Sequence, residues 1–200
     1  MGIKSNQKVY IDLICYPLYT LGPGERVGLW FQGCDIGCQG CISTHTWEQT
    51  KEKQMDMKDL LLQLTNMPVS ALTISGGEPF NQSEALFELL ENIRGKFDDI
   101  LIYSGYEYNY LEKRYPEILD LVDVLVDGRF VKSLPSDRIY KGSSNQKMYL
   151  FNSQLLDIYS EYMVQENEVL QMHQTDQEIY VLGIPKSEDS NLIKKVLQET

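Results

Sequence analysis

The stretch Ala71-Leu72-Thr73-Ile74-Ser75-Gly76-Gly77-Glu78-Pro79 joins a short apolar run to a glycine-rich turn. Its apolar and β-branched residues predict a strand over 71–75, and the two glycines end that strand. Apolar residues at helical spacing follow over 83–93, with Asn81 or Ser83 as the expected helix cap. The stretch therefore predicts one strand, one glycine-bearing turn and one helix.

The same order of elements repeats along the next part of the chain. A strand is predicted over 100–103, a helix over 110–121 that Pro116 interrupts, and a further strand within 122–128. Alternating strands and helices are typical of a parallel sheet built from right-handed βαβ units. The sequence therefore predicts an α/β fold.

The flanking regions contain further elements of both kinds. Strands are predicted over 9–15, 26–32, 148–151 and 179–183, and helices over 57–64 and 191–198, while 153–172 has the composition of a helix followed by a linker. We see no internal repeat and expect a single domain over residues 1–200, with 152–200 as a C-terminal extension of it.

Glycine-bearing turns follow each predicted strand of the alternating region. Gly76-Gly77, Gly105 and Gly128 stand at carboxyl ends of strands, and a cysteine-rich loop follows the strand at 26–32. In parallel α/β architectures, the carboxyl ends of the strands form the edge where sites are built. These four features are therefore expected to line one mouth.

Composition restricts the classes of function. The 200 residues are enough for one substantial core, and the formal net charge of −11 argues against a nucleic-acid partner, which would need a basic face. No run approaches the roughly 18 apolar residues of a membrane-spanning helix. Four cysteines are too few for a disulfide scaffold. We expect a cytoplasmic protein with no membrane and no nucleic-acid partner.

Three of the cysteines form a candidate metal loop. Cys34, Cys38 and Cys41 have the spacing C-x3-C-x2-C, and soft thiolate ligands favour an iron–sulfur cluster, zinc or Cu(I). A [4Fe–4S] cluster normally takes four thiolates, so three would leave one iron open. Alternatively, His45 would complete a Cys3His structural zinc site. Cys15, within an apolar run, is expected to be a small buried hydrophobic residue.

The Gly76-Gly77-Glu78-Pro79 turn distinguishes these alternatives. Two glycines allow the backbone to approach a ligand closely, and Glu78 with the nearby carbonyls would accept hydrogen bonds from an ammonium group. The simpler interpretation is an ordinary strand-to-helix turn. The turn and the cysteine loop together are more specific than either alone, and the zinc interpretation gives the turn no role.

In these two motifs the sequence resembles the radical S-adenosylmethionine (SAM) superfamily, whose signature is C-x3-C-x2-C followed by a Gly-Gly-Glu-Pro turn. Many members have an aromatic residue before the last cysteine, whereas this chain has Gly40. With a glycine at this position, the sequence resembles the subgroup that activates anaerobic ribonucleotide reductase. Further stretches agree with that subgroup, namely residues 22–27, 30–34, 46–47, 73–82, 103–106, 123–130 and 142–146.

The resemblance implies a fold and a set of ligands. The fold would be a partial, open-sided (βα) barrel of the radical SAM type with a mostly parallel sheet. Cys34, Cys38 and Cys41 would hold one [4Fe–4S] cluster, and the methionine moiety of SAM would bind the open iron. The turn would receive the amino group of SAM, and Ser104 and Asp127 are candidate contacts of its ribose or carboxylate. With Asn145 as a further candidate, the proposed SAM-binding residues are Gly76, Gly77, Glu78, Pro79, Ser104, Asp127 and Asn145.

The resemblance also implies an activity. A one-electron donor such as a flavodoxin would reduce the cluster, SAM would be cleaved to methionine and a 5′-deoxyadenosyl radical, and that radical would generate a glycyl radical on a partner such as anaerobic ribonucleotide reductase. No acid–base pair would be needed, because the cofactor carries the hard chemistry. The alternatives are a radical SAM enzyme acting on a small molecule or peptide, and a non-catalytic zinc-stabilised binding module.

Overall fold

The computed structural model describes residues 7–176, 178–186 and 189 of the chain. Seven strands form one sheet in the order β3-β1-β2-β4-β5-β6-β7. They are β1 Lys8–Leu18, β2 Arg26–Phe31, β3 Gln54–Asp56, β4 Ala71–Gly76, β5 Asp99–Tyr103, β6 Val124–Asp127 and β7 Lys147–Leu150. A separate hairpin consists of β8 Gln171–Gln174 and β9 Ile179–Leu182.

The sheet has a parallel centre and antiparallel flanks. Strands β2, β4, β5 and β6 run parallel to one another, whereas β1, β3 and β7 pair antiparallel with their neighbours. Among the described residues, no pairing joins the edge strands β3 and β7. The predicted α/β fold with an open-sided sheet is confirmed.

In the described residues, five α-helices accompany the strands, namely α1 Met57–Thr65, α2 Ser83–Ile93, α3 Tyr108–Arg114, α4 Pro116–Leu119 and α5 Leu156–Val164. Short 3-10 helices cover Thr44–Thr46, Lys51–Lys53, Pro79–Gln82 and Ser153–Leu155. The predicted helix over 110–121 is divided at Tyr115, whose φ of −139° takes it out of the helical region, as the residue before a proline prefers. The predicted helix over 191–198 lies outside the described residues.

The predicted cap of α2 is wrong. The cap position is Gln82, which makes no side-chain cap hydrogen bond, because a 3-10 helix beginning at Pro79 precedes α2. The cap of that shorter helix is Glu78, whose carboxylate accepts a hydrogen bond from the backbone N–H of Phe80. The acidic residue of the glycine-rich turn therefore has a structural role at a helix start.

Each face of the sheet buries a different part of the chain. On the helix face, residues such as Leu29, Ile74 and Leu125 pack against helices α1, α2, α3 and α4. On the opposite face, which we call the inner face, Trp30 packs with Leu182 of β9, and Leu101, Val124 and Val126 pack with Tyr159 and Tyr162 of α5. The segment after residue 152 therefore covers the inner face.

None of the helices in the described part of the chain is long and apolar enough to cross a membrane. The single domain expected over residues 1–200 stays a prediction.

Candidate functional site

The cysteine loop leaves the carboxyl end of β2 and is tied to the segment that follows it. Gly33 donates its backbone N–H to the carbonyl of Thr46 (2.7 Å), and Cys34 donates to the carbonyl of Trp47 (3.0 Å). Gly33 has a φ of +96°, a region that favours glycine. These contacts fix where the loop begins and ends.

The three loop thiols are half-buried and free of disulfides, and so they are accessible to a cofactor. Burial raises the pKa of the Cys34 thiol, while hydrogen bonds from the backbone N–H groups of Gly37 and Ile36 act in the opposite direction. Donors directed at this sulfur suit a thiolate ligand. Cys15 differs, because it is buried and its burial raises its pKa to about 12, as expected for a structural cysteine.

The zinc alternative depends on His45 as a fourth ligand, because a structural zinc ion needs four ligands converging on one centre. His45 lies against β1, with Nε2 3.3 Å from Oδ2 of Asp12. Within the described residues, no three His, Cys, Asp or Glu side chains are grouped so that they could hold one metal ion, and this applies equally to the three thiols of the loop. The Cys3His site stays an alternative in which His45 would have to leave Asp12.

The Gly-Gly-Glu-Pro turn is bound directly to the start of the cysteine loop. Gly77 donates its backbone N–H to the carbonyl of Phe31, and Glu78 donates to the carbonyl of Gly33, both at 2.8 Å. A Cβ at Gly76 would lie 2.4 Å from the Phe31 oxygen, and one at Gly77 would lie 2.4 Å from the Gly33 oxygen. The glycines are therefore needed for the turn to approach the backbone of the strand exit, a role that the sequence interpretation missed.

Glu78 is buried completely, and its carboxylate is used internally. Its Oε1 accepts hydrogen bonds from the N–H of Phe80 (3.1 Å) and from Oγ of Ser104 (3.0 Å), and Oε2 accepts from the N–H of Gly105 (2.7 Å). Burial raises the pKa of Glu78 to about 7 despite these three donors. The carboxylate thus links the exits of β4 and β5 and forms no ion pair with a described residue.

Ser104 supports this arrangement from the end of β5. It is buried, and besides donating to Glu78 its Oγ accepts the N–H of Tyr106 (3.1 Å). Tyr106 in turn places its hydroxyl 2.9 Å from Oδ1 of Asp35 in the cysteine loop. Gly105 leaves room for Ile36, whose Cδ1 would lie 2.4 Å from a Cβ at that position. The exit of β5 therefore contacts both the turn and the cysteine loop.

Asp127 and Asn145 lie apart from this cluster. Asp127 shares the helix face with Leu125, and its Oδ2 accepts the N–H of Tyr108 (2.7 Å) at the start of α3. Asn145 is exposed and donates Nδ2 to the carbonyl of Arg129 (2.9 Å). Both line a cavity of about 290 Å³ whose lining includes none of the three cysteines. The structure thus brings the cysteine loop, the turn and Ser104 together and leaves these two residues beside them.

Two connections at the mouth were not expected from the sequence. Arg129 donates Nη2 to the carbonyl of Ile36 (2.6 Å), which joins the exit of β6 to the cysteine loop. Gln146 accepts the N–H groups of Gly142 and Ser143 and donates Nε2 to the carbonyl of Gly128 (3.0 Å). The contact of Arg129 could have been expected from the sequence, because Arg129 comes just after a predicted strand that ends at the mouth.

Comparison with known proteins identifies the group to which this architecture belongs. Residues 20–149 match the family model described as a 4Fe-4S single cluster domain. The anaerobic ribonucleoside-triphosphate reductase-activating protein of phage T4 is 32% identical over 142 residues, covering 67% of this chain and 90% of that protein. The protein of the same name from Escherichia coli K12 is 32% identical over 145 residues, covering 67% of this chain and 94% of that protein.

A pyruvate formate-lyase-activating enzyme from Clostridium pasteurianum is 31% identical over 118 residues, covering 55% of this chain and 48% of that enzyme. Each of these relatives is named for the activation of another enzyme. The family match covers the cysteine loop, the Gly-Gly-Glu-Pro turn and the exits of β5 and β6. This chain therefore belongs to the 4Fe-4S single cluster domain family and, with these activating proteins, to the radical SAM superfamily.

Proposed function

We propose that this chain holds one [4Fe–4S] cluster through Cys34, Cys38 and Cys41 and cleaves SAM reductively to generate a glycyl radical on a partner enzyme. The observation that carries the proposal is the direct hydrogen bonding between the cysteine loop and the Gly-Gly-Glu-Pro turn. Three half-buried thiols on a loop held in this way supply three of the ligands that such a cluster takes.

The turn is the proposed site for the methionine moiety of SAM. Among the described residues, no donor reaches the carbonyl of Gly77, which leaves this oxygen free to accept a hydrogen bond from an ammonium group. Glu78 would act through the negative charge of its carboxylate, and Pro79 fixes the backbone that follows. Ser104 would position Glu78. Asp127 and Asn145 are proposed as contacts of the more distant part of SAM, across the cavity that they line.

The bound cofactors would supply the radical chemistry, in which one electron cleaves the SAM sulfonium to methionine and a 5′-deoxyadenosyl radical that takes a hydrogen atom from a glycine. The tasks left to this chain are to bind, to orient and to exclude water. The hydrogen bonds from Gly77 to Phe31 and from Glu78 to Gly33 fix the turn relative to the thiols. The buried hydrogen bonds that Glu78 accepts from Ser104 and Gly105 hold the exit of β5 against that turn.

The proposed partner is a glycyl-radical protein such as anaerobic ribonucleoside-triphosphate reductase, since two relatives are named as activators of that enzyme. A one-electron donor such as a flavodoxin would reduce the cluster, in the cytoplasm, with no nucleic acid or membrane involved. The unpaired state of all four cysteines is in keeping with a reducing compartment.

The test is anaerobic reconstitution of the full chain with iron and sulfide, followed by dithionite and SAM. The proposal requires 5′-deoxyadenosine and, with the partner reductase present, the paramagnetic resonance signal of a glycyl radical. Absence of 5′-deoxyadenosine would refute SAM cleavage. Formation of 5′-deoxyadenosine without a glycyl signal on any activatable partner would favour a small-molecule or peptide substrate instead.

A further inference from the structure

One segment of this acidic chain has the opposite charge balance. Residues 129–147 contain five basic residues and one acidic residue, although the chain as a whole has 18 basic and 29 acidic residues. Four of the cations stand where the segment passes the mouth, and we call them the basic rim: Arg129, Lys132, Lys141 and Lys147. Asp137 and Arg138 lie farther along, where the guanidinium of Arg138 donates to the carbonyl of Val164.

The basic rim lies directly against the cysteine loop. The aliphatic part of Lys132 would be 3.3 Å from a Cβ at Gly40, which stands between Cys38 and Cys41. Arg129 contacts the other half of the loop through the carbonyl of Ile36. Lys147 lines the adjoining cavity together with Arg129.

These cations are available to an external partner. Arg129, Lys132 and Lys147 are exposed, and Lys141 is half-buried with Nζ directed at the carbonyls of Ser144 and Gln146. None of the four forms a salt bridge within the described residues.

Three carboxylates lie near the four cations of the basic rim. Asp35 accepts a hydrogen bond from the hydroxyl of Tyr106, and Asp127 accepts backbone N–H groups. Glu107 shares the cavity with Arg129 and Lys147. Four cations against three carboxylates leave a local excess of positive charge beside the proposed cluster, in a chain of net charge −11.

We infer that the basic rim is the docking surface for an acidic one-electron carrier protein, and this inference rests on the proposed function. The carrier, a reduced flavoprotein of flavodoxin type, would lose one electron and the cluster would gain it, with no bond made or broken. Electron transfer requires the carrier to dock beside the cysteine loop. Opposite charge at that point steers the encounter and orients the partner, and it offsets repulsion between two acidic proteins.

The first experiment measures binding of oxidised flavodoxin to the reconstituted protein by calorimetry. The rim variant Lys132→Glu, at a position outside the cavity proposed for SAM, should raise the Kd several-fold, and added salt should weaken binding to the native chain more than to the variant. The matched control is Lys58→Glu, which makes the same charge change at an exposed position of α1, away from the cysteine loop. An unchanged Kd in the first variant, or an equal rise in the control, would overturn the inference.

The second experiment measures 5′-deoxyadenosine formation with two reductants. The rim variant should lose most of the rate driven by reduced flavodoxin and keep the rate driven by dithionite, a small reductant that needs no docking surface. If the variant instead weakens binding of the partner reductase and leaves flavodoxin binding intact, the surface belongs to the substrate protein and the inference is wrong. Failure of the native chain to cleave SAM with dithionite would refute the proposed function, while the calorimetric result would still decide the docking surface.

Discussion

The backbone N–H of Glu78 lies 2.8 Å from the carbonyl oxygen of Gly33, so the turn after β4 and the residue that precedes Cys34 are held together. The adjacent bond from Gly77 to Phe31 extends the parallel pairing of β2 and β4 beyond the last strand residues. Two sequence motifs that lie far apart along the chain therefore form one backbone unit.

Replacing Gly77 with alanine should disrupt that unit. A Cβ at this position would be 2.4 Å from the Gly33 oxygen, and relief of such a contact requires backbone movement that we expect to cost about 1–3 kcal/mol. Urea unfolding of the cluster-free protein should show the loss, and reconstituted protein should contain less iron. Gly95→Ala is the control, because no atom lies within 4 Å of its Cβ position. Equal effects of the two substitutions would contradict the expectation.

Glu78 should make stability depend on pH. Its pKa is raised by burial from an ordinary value of 4.5 to about 7, so the folded chain binds this proton more tightly than the unfolded chain does. The proton on Glu78 therefore stabilises the folded chain, fully so below about pH 4.5. The unfolding free energy should fall by roughly 1 kcal/mol per pH unit from there, until this stabilisation is lost as the pH rises through about 7.

The variant Glu78→Gln isolates this effect, since its side chain is neutral throughout. The unfolding free energy of the native cluster-free chain, minus that of the variant, should fall as the pH rises from 4.5 to 7. Glu84→Gln, at an exposed position of α2, controls for the removal of one carboxylate. A difference that is flat with pH would show that Glu78 is ionised in the folded state across this range.

Cys38→Ala should abolish the visible absorbance of the cluster and bring iron and sulfide well below the roughly four of each expected per chain. Cys15→Ala should retain both, because Cys15 is buried on β1 beside Gly28 of β2 and lies in a separate apolar cluster. The measurement is iron and sulfide analysis after anaerobic reconstitution. Retention of a full cluster by the Cys38 variant would remove it from the ligand set.

Tyr159→Phe should loosen the contact between α5 and the sheet. Its hydroxyl donates to Oδ1 of Asp99 (2.7 Å), and Asp99 also pairs with the fully buried Arg26. Loss of a buried hydrogen bond to a charged group should lower the unfolding free energy by about 1.5–3 kcal/mol. Tyr110→Phe is the control, since Tyr110 is exposed and its hydroxyl forms no hydrogen bond to a described residue. Iron content should be unchanged in both variants.

The sequence was sufficient to predict the mouth of the sheet. Glycine turns after β4, β5 and β6 marked strand exits, and parallel strands necessarily bring such exits to one edge. Strand limits were predicted to within a few residues because the apolar runs stop abruptly at Gly76, Ser104 and Gly128.

The direction of individual side chains was not predictable in the same way. The role of Glu78 towards an ammonium group stays a prediction, and the sequence did not indicate that its carboxylate also accepts hydrogen bonds from Ser104 and Gly105, which lie 26 positions or more along the chain. Strand alternation puts the side chains of Asp127 and Leu125 on the same face of the sheet. The sequence of β6 alone does not indicate whether that face is covered by helices or left open, because this depends on how other elements pack. No local pattern indicated that the aromatic residues of α5 would cover the inner face.

The covering of the inner face by α5 and β9 has a consequence for shortened versions of the protein. A chain cut near residue 150, where the family match ends, would expose Leu101, Val124 and Val126 to water and leave the Arg26–Asp99 pair without Tyr159. Contiguous bare apolar surface of this kind promotes self-association. A fragment limited to the family-matched region should therefore aggregate, even though it would retain every proposed ligand of the cluster.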